Sequence, residues 1–227
     1  MKTSWRAELP QLAIIAALYA WSALLWPGAP ESLPVHFDLN GNVDRMGGKV
    51  EGLFLLPSLA FGIYLVLRLL PRMDPARANY PSFAGAYAAI RFTVLIMLAA
   101  VDLAVLLPLA GVEVNEAAVV RLIVGGLFIA FGAVMGKIRP NWLVGIRTPW
   151  TLTSKESWVK THRVGGWTFV LVGLVLIVSL ALPVAPALVI SLGALVLGLA
   201  WTVIYSYLVW RKDPIRYPAI RSRPARD

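Results

Sequence analysis

Apolar residues run along this chain in long, nearly charge-free stretches broken by short polar clusters. A membrane crossing takes about 20 mostly apolar residues to span ~30 Å of hydrocarbon, and six stretches meet or approach that. The first runs from Leu9 to Trp26, the second from Gly52 to Leu70, the third from Ile90 to Ala110 and the fourth from Ala117 to Gly136. From Val164 to Trp210 there are 47 residues without a charge, about 70 Å of helix at ~1.5 Å per residue and enough for two crossings. Pro183-Val184-Ala185-Pro186 falls where that run must turn, because proline ends helices and holds the residue before it extended. The pattern predicts an all-α integral membrane protein with six transmembrane helices. The first stretch follows a weakly basic start, Lys2 and Arg6, as a secretion signal would. It is long for one, however, and Pro27-Gly28-Ala29-Pro30 is a poor cleavage site, so it reads as a retained anchor.

Composition agrees with this pattern. The chain is 59% hydrophobic and 15% charged, with mean hydropathy +0.72, whereas a soluble domain carries about 25% charged residues. The net charge of +9 raises the question of nucleic acid, since basic patches attract phosphate. The distribution points elsewhere. Of the 21 basic residues, all but Arg45, Lys49 and Arg121 fall on one side of the predicted spans. Cytoplasmic loops carry such an excess, so both termini are expected in the cytoplasm of a bacterial inner membrane, with no direct nucleic-acid contact. The absence of cysteine excludes disulfides and thiolate metal sites.

Two connections are too long to serve as mere turns, 27–51 outside and 137–163 inside. Residues 1–72 read as a two-span unit, 73–210 as a four-span unit and 211–227 as a basic tail suited to an anionic leaflet. In the outer connection Asp38, Asn40, Asn42 and Asp44 alternate as in a calcium loop. The glycine and bidentate glutamate such a loop needs are replaced by Val43 and Lys49. A turn on Asn40-Gly41 and Gly47-Gly48, with short polar side chains bonding nearby backbone, accounts for the pattern. His36 and Lys49 are left as candidate ligand contacts.

His36 and His162 are the two histidines, and the expected topology puts them on opposite faces, so they cannot share a metal. No nucleophile triad or phosphate-cradling glycine loop is present. Neither an enzyme nor a cofactor is expected. In the inner connection Pro140-Asn141 and Thr148-Pro149 mark turns. Thr153 or Ser154, followed by Glu156, marks a helix start, with Ser154 as candidate N-cap and Trp158, Thr161 and His162 on the helix. Trp142, Trp150 and Trp158 suit the headgroup zone. Two readings stand side by side: an interfacial loop anchored by tryptophans, or a docking surface for a partner or lipid built on Arg139, Arg147, Lys155, Lys160 and Arg163.

The run Gly136-Lys-Ile-Arg-Pro-Asn141, then Gly145-Ile-Arg-Thr-Pro-Trp-Thr-Leu152, Glu156, Trp158, Lys160-Thr-His-Arg163 and Gly165-Gly166 resembles the signature of the SdpI family. These are bacterial membrane proteins typified by the immunity protein against a sporulation-delaying peptide toxin. The outer run from Leu33-Pro-Val-His-Phe37 through Gly41, Asp44 and Lys49 resembles the small domain of unknown function that often precedes it. The resemblance implies protection from a membrane-active peptide and, in the family's best-known member, capture of a transcriptional repressor. It implies a toxin-facing set Pro34, His36, Phe37, Gly41, Asp44 and Lys49. A regulator-facing set follows likewise: Arg139, Asn141, Gly145, Arg147, Thr148, Pro149, Trp150, Trp158, Thr161, His162 and Arg163.

Two charges remain within the spans. Asp102 and Arg121 lie at depths an arginine side chain can bridge, and a lone charge at mid-membrane costs about 2.5–3.5 kcal/mol on insertion scales. They are expected to form a structural pair. The alternative is a polar pathway, which would suit a small transporter or lipid-handling protein. Gly132 and Gly136 have the spacing of close helix packing, within the chain or between copies.

Overall fold

The computed structural model describes residues 5–38 and 42–215. The turn residues Asn40 and Gly41, and the tail beyond Ile215, lie outside these. Six helices are long and apolar enough to cross a membrane. They comprise α1 (Trp5–Leu25), α2 (Lys49–Met73), α3 (Ala84–Leu106), α4 (Glu116–Met135), α6 (Lys155–Val178) and α7 (Val184–Lys212), with a single-turn α5 (Pro149–Thr153) before α6. At one end of the bundle, the hairpin end, lie the connections after α1, α3 and α6. The other, the motif end, gathers the start of α1, the end of α7, residues 74–83 and the segment between α4 and α6.

The outer connection is more ordered than its turn-rich composition suggests. Strands β1 (Ser32–Phe37) and β2 (Val43–Gly48) pair antiparallel with Ser32 opposite Gly48 and Phe37 opposite Val43. Leu33 points into a small core with Ala29, Leu53 and Leu106, which seats the hairpin on α2 and α3. Helix α2 starts at Lys49 directly from β2, three residues before the expected boundary.

Helix α6 also begins early. Ser154 caps it, accepting from Ser157 N at 2.9 Å, and the helix runs unbroken to Val178. The expected loop helix and fifth span are therefore one element. Its polar first turns are amphipathic: Ser157, Trp158, Thr161 and His162 are buried, while Lys155, Glu156, Lys160 and Arg163 are exposed. That spacing keeps the charges at the helix surface while the apolar stripe continues into the bundle.

Helices α4 and α6 approach backbone to backbone. A Cβ on Gly132 would strike the carbonyl of Gly166, and one on Gly166 would strike that of Gly132. One on Gly125 would meet the Gly173 carbonyl, and one on Gly173 that of Gly125. In lipid no hydrophobic force draws helices together, so small residues that permit close van der Waals contact carry the packing. Gly132 thus serves a contact within the chain. A Cβ on its expected companion Gly136 would have more room, meeting the Arg163 Cα at 3.7 Å. On the other side of the bundle Ile15 and Leu18 of α1, Ala60 and Tyr64 of α2, and Leu95 and Leu98 of α3 form a second core.

Candidate functional site

At the hairpin end, His36 and Asp44 face each other at 2.6 Å on the exposed surface. Asp38 accepts from the Asn42 backbone N–H at 2.8 Å and from its Nδ2 at 3.1 Å. These side chains tie the turn to itself, as the short polar residues were expected to do. Lys49 is not an open contact. Its ammonium lies 3.6 Å from Glu31 Oε1 with the side chain only 12% exposed, and 5.0 Å from the Trp26 ring centre.

Pro34 and Phe37 turn the other way, toward α3. They line an apolar groove of about 180 Å³ with Val43, Ala104 and Val105. Phe37, Ala104 and Val105 also border a groove of about 260 Å³ that passes Val101 and Arg121 to Val184 on α7. The two form one crevice beneath the hairpin, between α3, α4 and α7. Asp38 and Arg121 are its ionisable residues.

The expected Asp102–Arg121 pair does not form. Arg121 donates Nε to Ala117 O at 3.0 Å and Nη1 to Ser179 O at 3.0 Å. Ser179 follows the last turn of α6, where carbonyls lack helical partners and the helix dipole is negative. These acceptors win the guanidinium. Both Asp102 carboxylate oxygens are buried without a hydrogen-bond partner, although Asp102 is 0% exposed.

At the motif end the expected regulator-facing residues divide into two groups. Most are interior. Asn141, 0% exposed, donates to the carbonyls of Arg139 and Val144 at 2.9 Å each. Its Oδ1 accepts from Leu143 N at 2.9 Å and Val144 N at 2.6 Å. One amide thereby holds the whole turn. Trp158 is buried in a cluster with Tyr80, Phe83, Tyr87 and Ile138 and donates Nε1 to Ile138 O at 3.0 Å. It is a core residue, not a headgroup anchor.

His162 Nε2 accepts from Ile146 N at 3.0 Å, and its Nδ1 lies 2.8 Å from Trp158 O. The neutral tautomer with the proton on Nδ1 satisfies both contacts. Gly145, at φ +109°, passes directly over this ring, which a Cβ would strike. Thr148 caps α5 in a reciprocal box with Thr151 and meets Ser206 Oγ of α7 at 3.0 Å. Trp150 packs on Tyr207 with ring centres 5.2 Å apart, and Thr161 is buried. The second group, Arg139, Gly145, Arg147, Pro149 and Arg163, is exposed, with Arg147 donating Nη1 to Trp142 O at 2.6 Å.

Two polar clusters at this end were missed. Asp74 accepts from Tyr80 OH at 2.9 Å, Ala76 N at 2.7 Å and Trp142 N at 3.0 Å, locking residues 74–83 to the motif turn. Glu8 of α1 takes Arg91 of α3 bidentately at 3.0 and 2.7 Å and Tyr64 OH of α2 at 2.8 Å. Arg68 lies 3.2 Å from the same carboxylate. The signal was present: Glu8 is an acid amid basic residues, and Arg68 and Arg91 sit at the margins of spans. Counting them only as topology signals hid their convergence.

Comparison with known proteins follows this geometry. Residues 13–61 match a domain of unknown function (DUF1648), and residues 137–206 match the SdpI/YfhL protein family. The chain is 25% identical over 207 residues to "Immunity protein SdpI" of Bacillus subtilis (strain 168), across 91% of this chain and 97% of that protein. No solved structure matches. The SdpI/YfhL segment holds the motif turn, α5, α6 and most of α7, and hence every residue of the regulator-facing set. The N-terminal match holds the hairpin. With its six long apolar helices the chain is a multi-pass protein of the bacterial cell membrane.

Proposed function

We propose that this chain is a membrane immunity protein, protecting the cell by engaging a membrane-active peptide toxin at the crevice beneath its hairpin. The observation that carries the reading is the extent of the likeness to the Bacillus subtilis immunity protein, which takes in both matched segments and nearly the full length of each chain. The crevice suits such a ligand chemically. Its walls are apolar, it opens beside the outer half of α3, α4 and α7, and Arg121 and Asp38 place one charge of each sign along it. A peptide already dissolved in the outer leaflet would enter without crossing water. Pro34, Phe37 and Arg121 would contact it, and His36 and Asp44 would stiffen the hairpin above.

Both termini and the motif end lie in the cytoplasm in this reading, on the strength of the basic-residue asymmetry. The exposed Arg139, Arg147, Pro149 and Arg163 then form the surface open to a cytoplasmic regulator. Residues 1–72 supply the toxin-facing unit and 73–210 the SdpI-like unit. The test is peptide binding by the purified protein in nanodiscs. Phe37→Ala with Arg121→Gln should weaken binding per folded, inserted molecule, by more than the stability lost with the two carbonyl contacts of Arg121 accounts for, as Phe37→Ala alone also shows. Binding unchanged by this variant would reject the crevice as the site.

A second reading, transport or lipid handling, is favoured by one observation, the unpartnered buried carboxylate of Asp102. Intramembrane acids commonly mark polar pathways. Ion-flux measurements on Asp102→Asn in proteoliposomes separate the two readings, since toxin protection by the crevice does not require that carboxylate to ionise.

A further inference from the structure

The motif end contains a cavity whose lining is dominated by arginine. It has a volume of about 360 Å³ and is walled by Arg68 and Arg72 of α2, Arg77 of the following turn, Arg91 of α3, and Tyr80 and Tyr87. No carboxylate lines it. Among the described residues, Glu8 is the only acid ion-paired with any of the four arginines, and it pairs with Arg68 and Arg91 alone. Arg72 and Arg77 are exposed and have no carboxylate partner among the described residues.

Arg91 is 4% exposed, and although two of its nitrogens hold Glu8, its Nε–H is buried without an acceptor. A buried donor left unmade is costly, and here it belongs to a wall of the cavity. The hydroxyls of Tyr80 and Tyr87 are occupied by Asp74 and Leu67 O, so the rings form a rigid wall rather than a competing donor set.

We propose that this cavity is a phosphate-binding site whose occupant is the headgroup of an anionic phospholipid. Guanidinium groups present paired N–H donors that match phosphate oxygens, which makes arginine the residue suited to this task. The charge imbalance favours an anion, because four guanidinium groups line the cavity and the one carboxylate near them, Glu8, pairs with two of them from outside the lining. Position selects the lipid over a soluble phosphate. The cavity lies where α2 ends and α3 begins, at the headgroup level of the leaflet on the motif side, and basic pockets between helices at that level hold acidic headgroups. Glu8 has a positioning role: it fixes Arg91 and Arg68 in place and leaves Arg72 and Arg77 to close on the phosphate. The site is independent of the toxin crevice, which opens at the opposite end.

The test is a thermal-shift titration of the purified full chain with short-chain phosphatidylglycerol, with short-chain phosphatidylcholine and inorganic phosphate as separate arms. Phosphatidylglycerol should stabilise the wild type saturably and phosphatidylcholine much less. Arg72→Gln with Arg77→Gln should weaken phosphatidylglycerol binding about thirtyfold, taking each basic residue at its usual contribution near a membrane surface. Arg211→Gln with Lys212→Gln removes the same charge from the same end and should leave the affinity unchanged. Saturation by inorganic phosphate at the same site, with loss of that binding in the arginine variant, upholds the site and assigns it to free phosphate. Equal affinity of the arginine variant and wild type, or an equal fall in the Arg211/Lys212 variant, overturns the proposal. Should the double glutamine variant fail to insert, Arg77→Gln alone decides: its affinity for phosphatidylglycerol should fall about fivefold, and affinity equal to wild type overturns the proposal.

Discussion

Asn141 spends all of its side-chain hydrogen-bonding capacity on its own turn, two donors and an oxygen that accepts twice. Asn141→Ala should therefore cost about 2–4 kcal/mol, since buried backbone partners are left unmade, and thermal unfolding in detergent measures it. Gly145→Ala should also lower the melting temperature, through its positive φ and the His162 ring above it, while Arg147→Ala at the surface should change it little. The motif's residue types were legible in the sequence, but their roles were not. A polar or aromatic residue in a loop between spans reads as surface, and only the fold shows Trp158, His162 and Asn141 turned inward. Asp102 and Arg121 show the complementary error, in which depth in the membrane predicted a pair. Depth carries no information about competing acceptors, and the carbonyls at the end of α6 took the arginine. The effects of Asp102→Asn and Arg121→Gln on stability should accordingly add within about 0.5 kcal/mol, and a large coupling energy in the double mutant would restore the pair.

Helix α4 depends on having no side chain where it meets α6. Gly132→Val should unseat the contact with Gly166 and lower both stability and yield. Gly126→Val, six residues away with open space around it, should be tolerated. Equal loss in both variants would show that valine harms the helix itself rather than its packing. All six long elements were legible from hydropathy because crossing a membrane demands a length and a composition at once. Their ends were not. Helix α6 begins inside charged sequence because Lys155 and Lys160 keep their charges at the surface while Ser157 and Trp158 pack, and α2 does so because Glu31 and the Trp26 ring take the Lys49 ammonium. The hairpin escaped because its strands are short, β2 ends in two glycines, and its one strong core residue, Leu33, owes its burial largely to residues far along the chain.

At the scale of the whole molecule, three links join parts distant in sequence: Glu8 with Arg91, Asp74 with the Trp142 backbone, and the Gly-lined α4–α6 contact. Removing one partner of a buried ion pair leaves a charge uncompensated and costs about 3–5 kcal/mol. Glu8→Gln should thus destabilise the packing of α1 on α2 and α3, and a cycle with Arg91→Gln should show strong coupling. The orientation is testable because the chain has no native cysteine. Cysteines at Asn42 and Glu113 should label from outside intact cells, and those at Ser82 and Thr153 only after lysis. The central claim, immunity, is tested most directly by survival. Cells lacking this gene should be killed by peptide toxin encoded in its own genomic neighbourhood, the wild-type gene should restore survival, and Phe37→Ala with Arg121→Gln, inserted at equal amounts, should not. Survival of the deletion strain indistinguishable from that of the wild type would contradict the account.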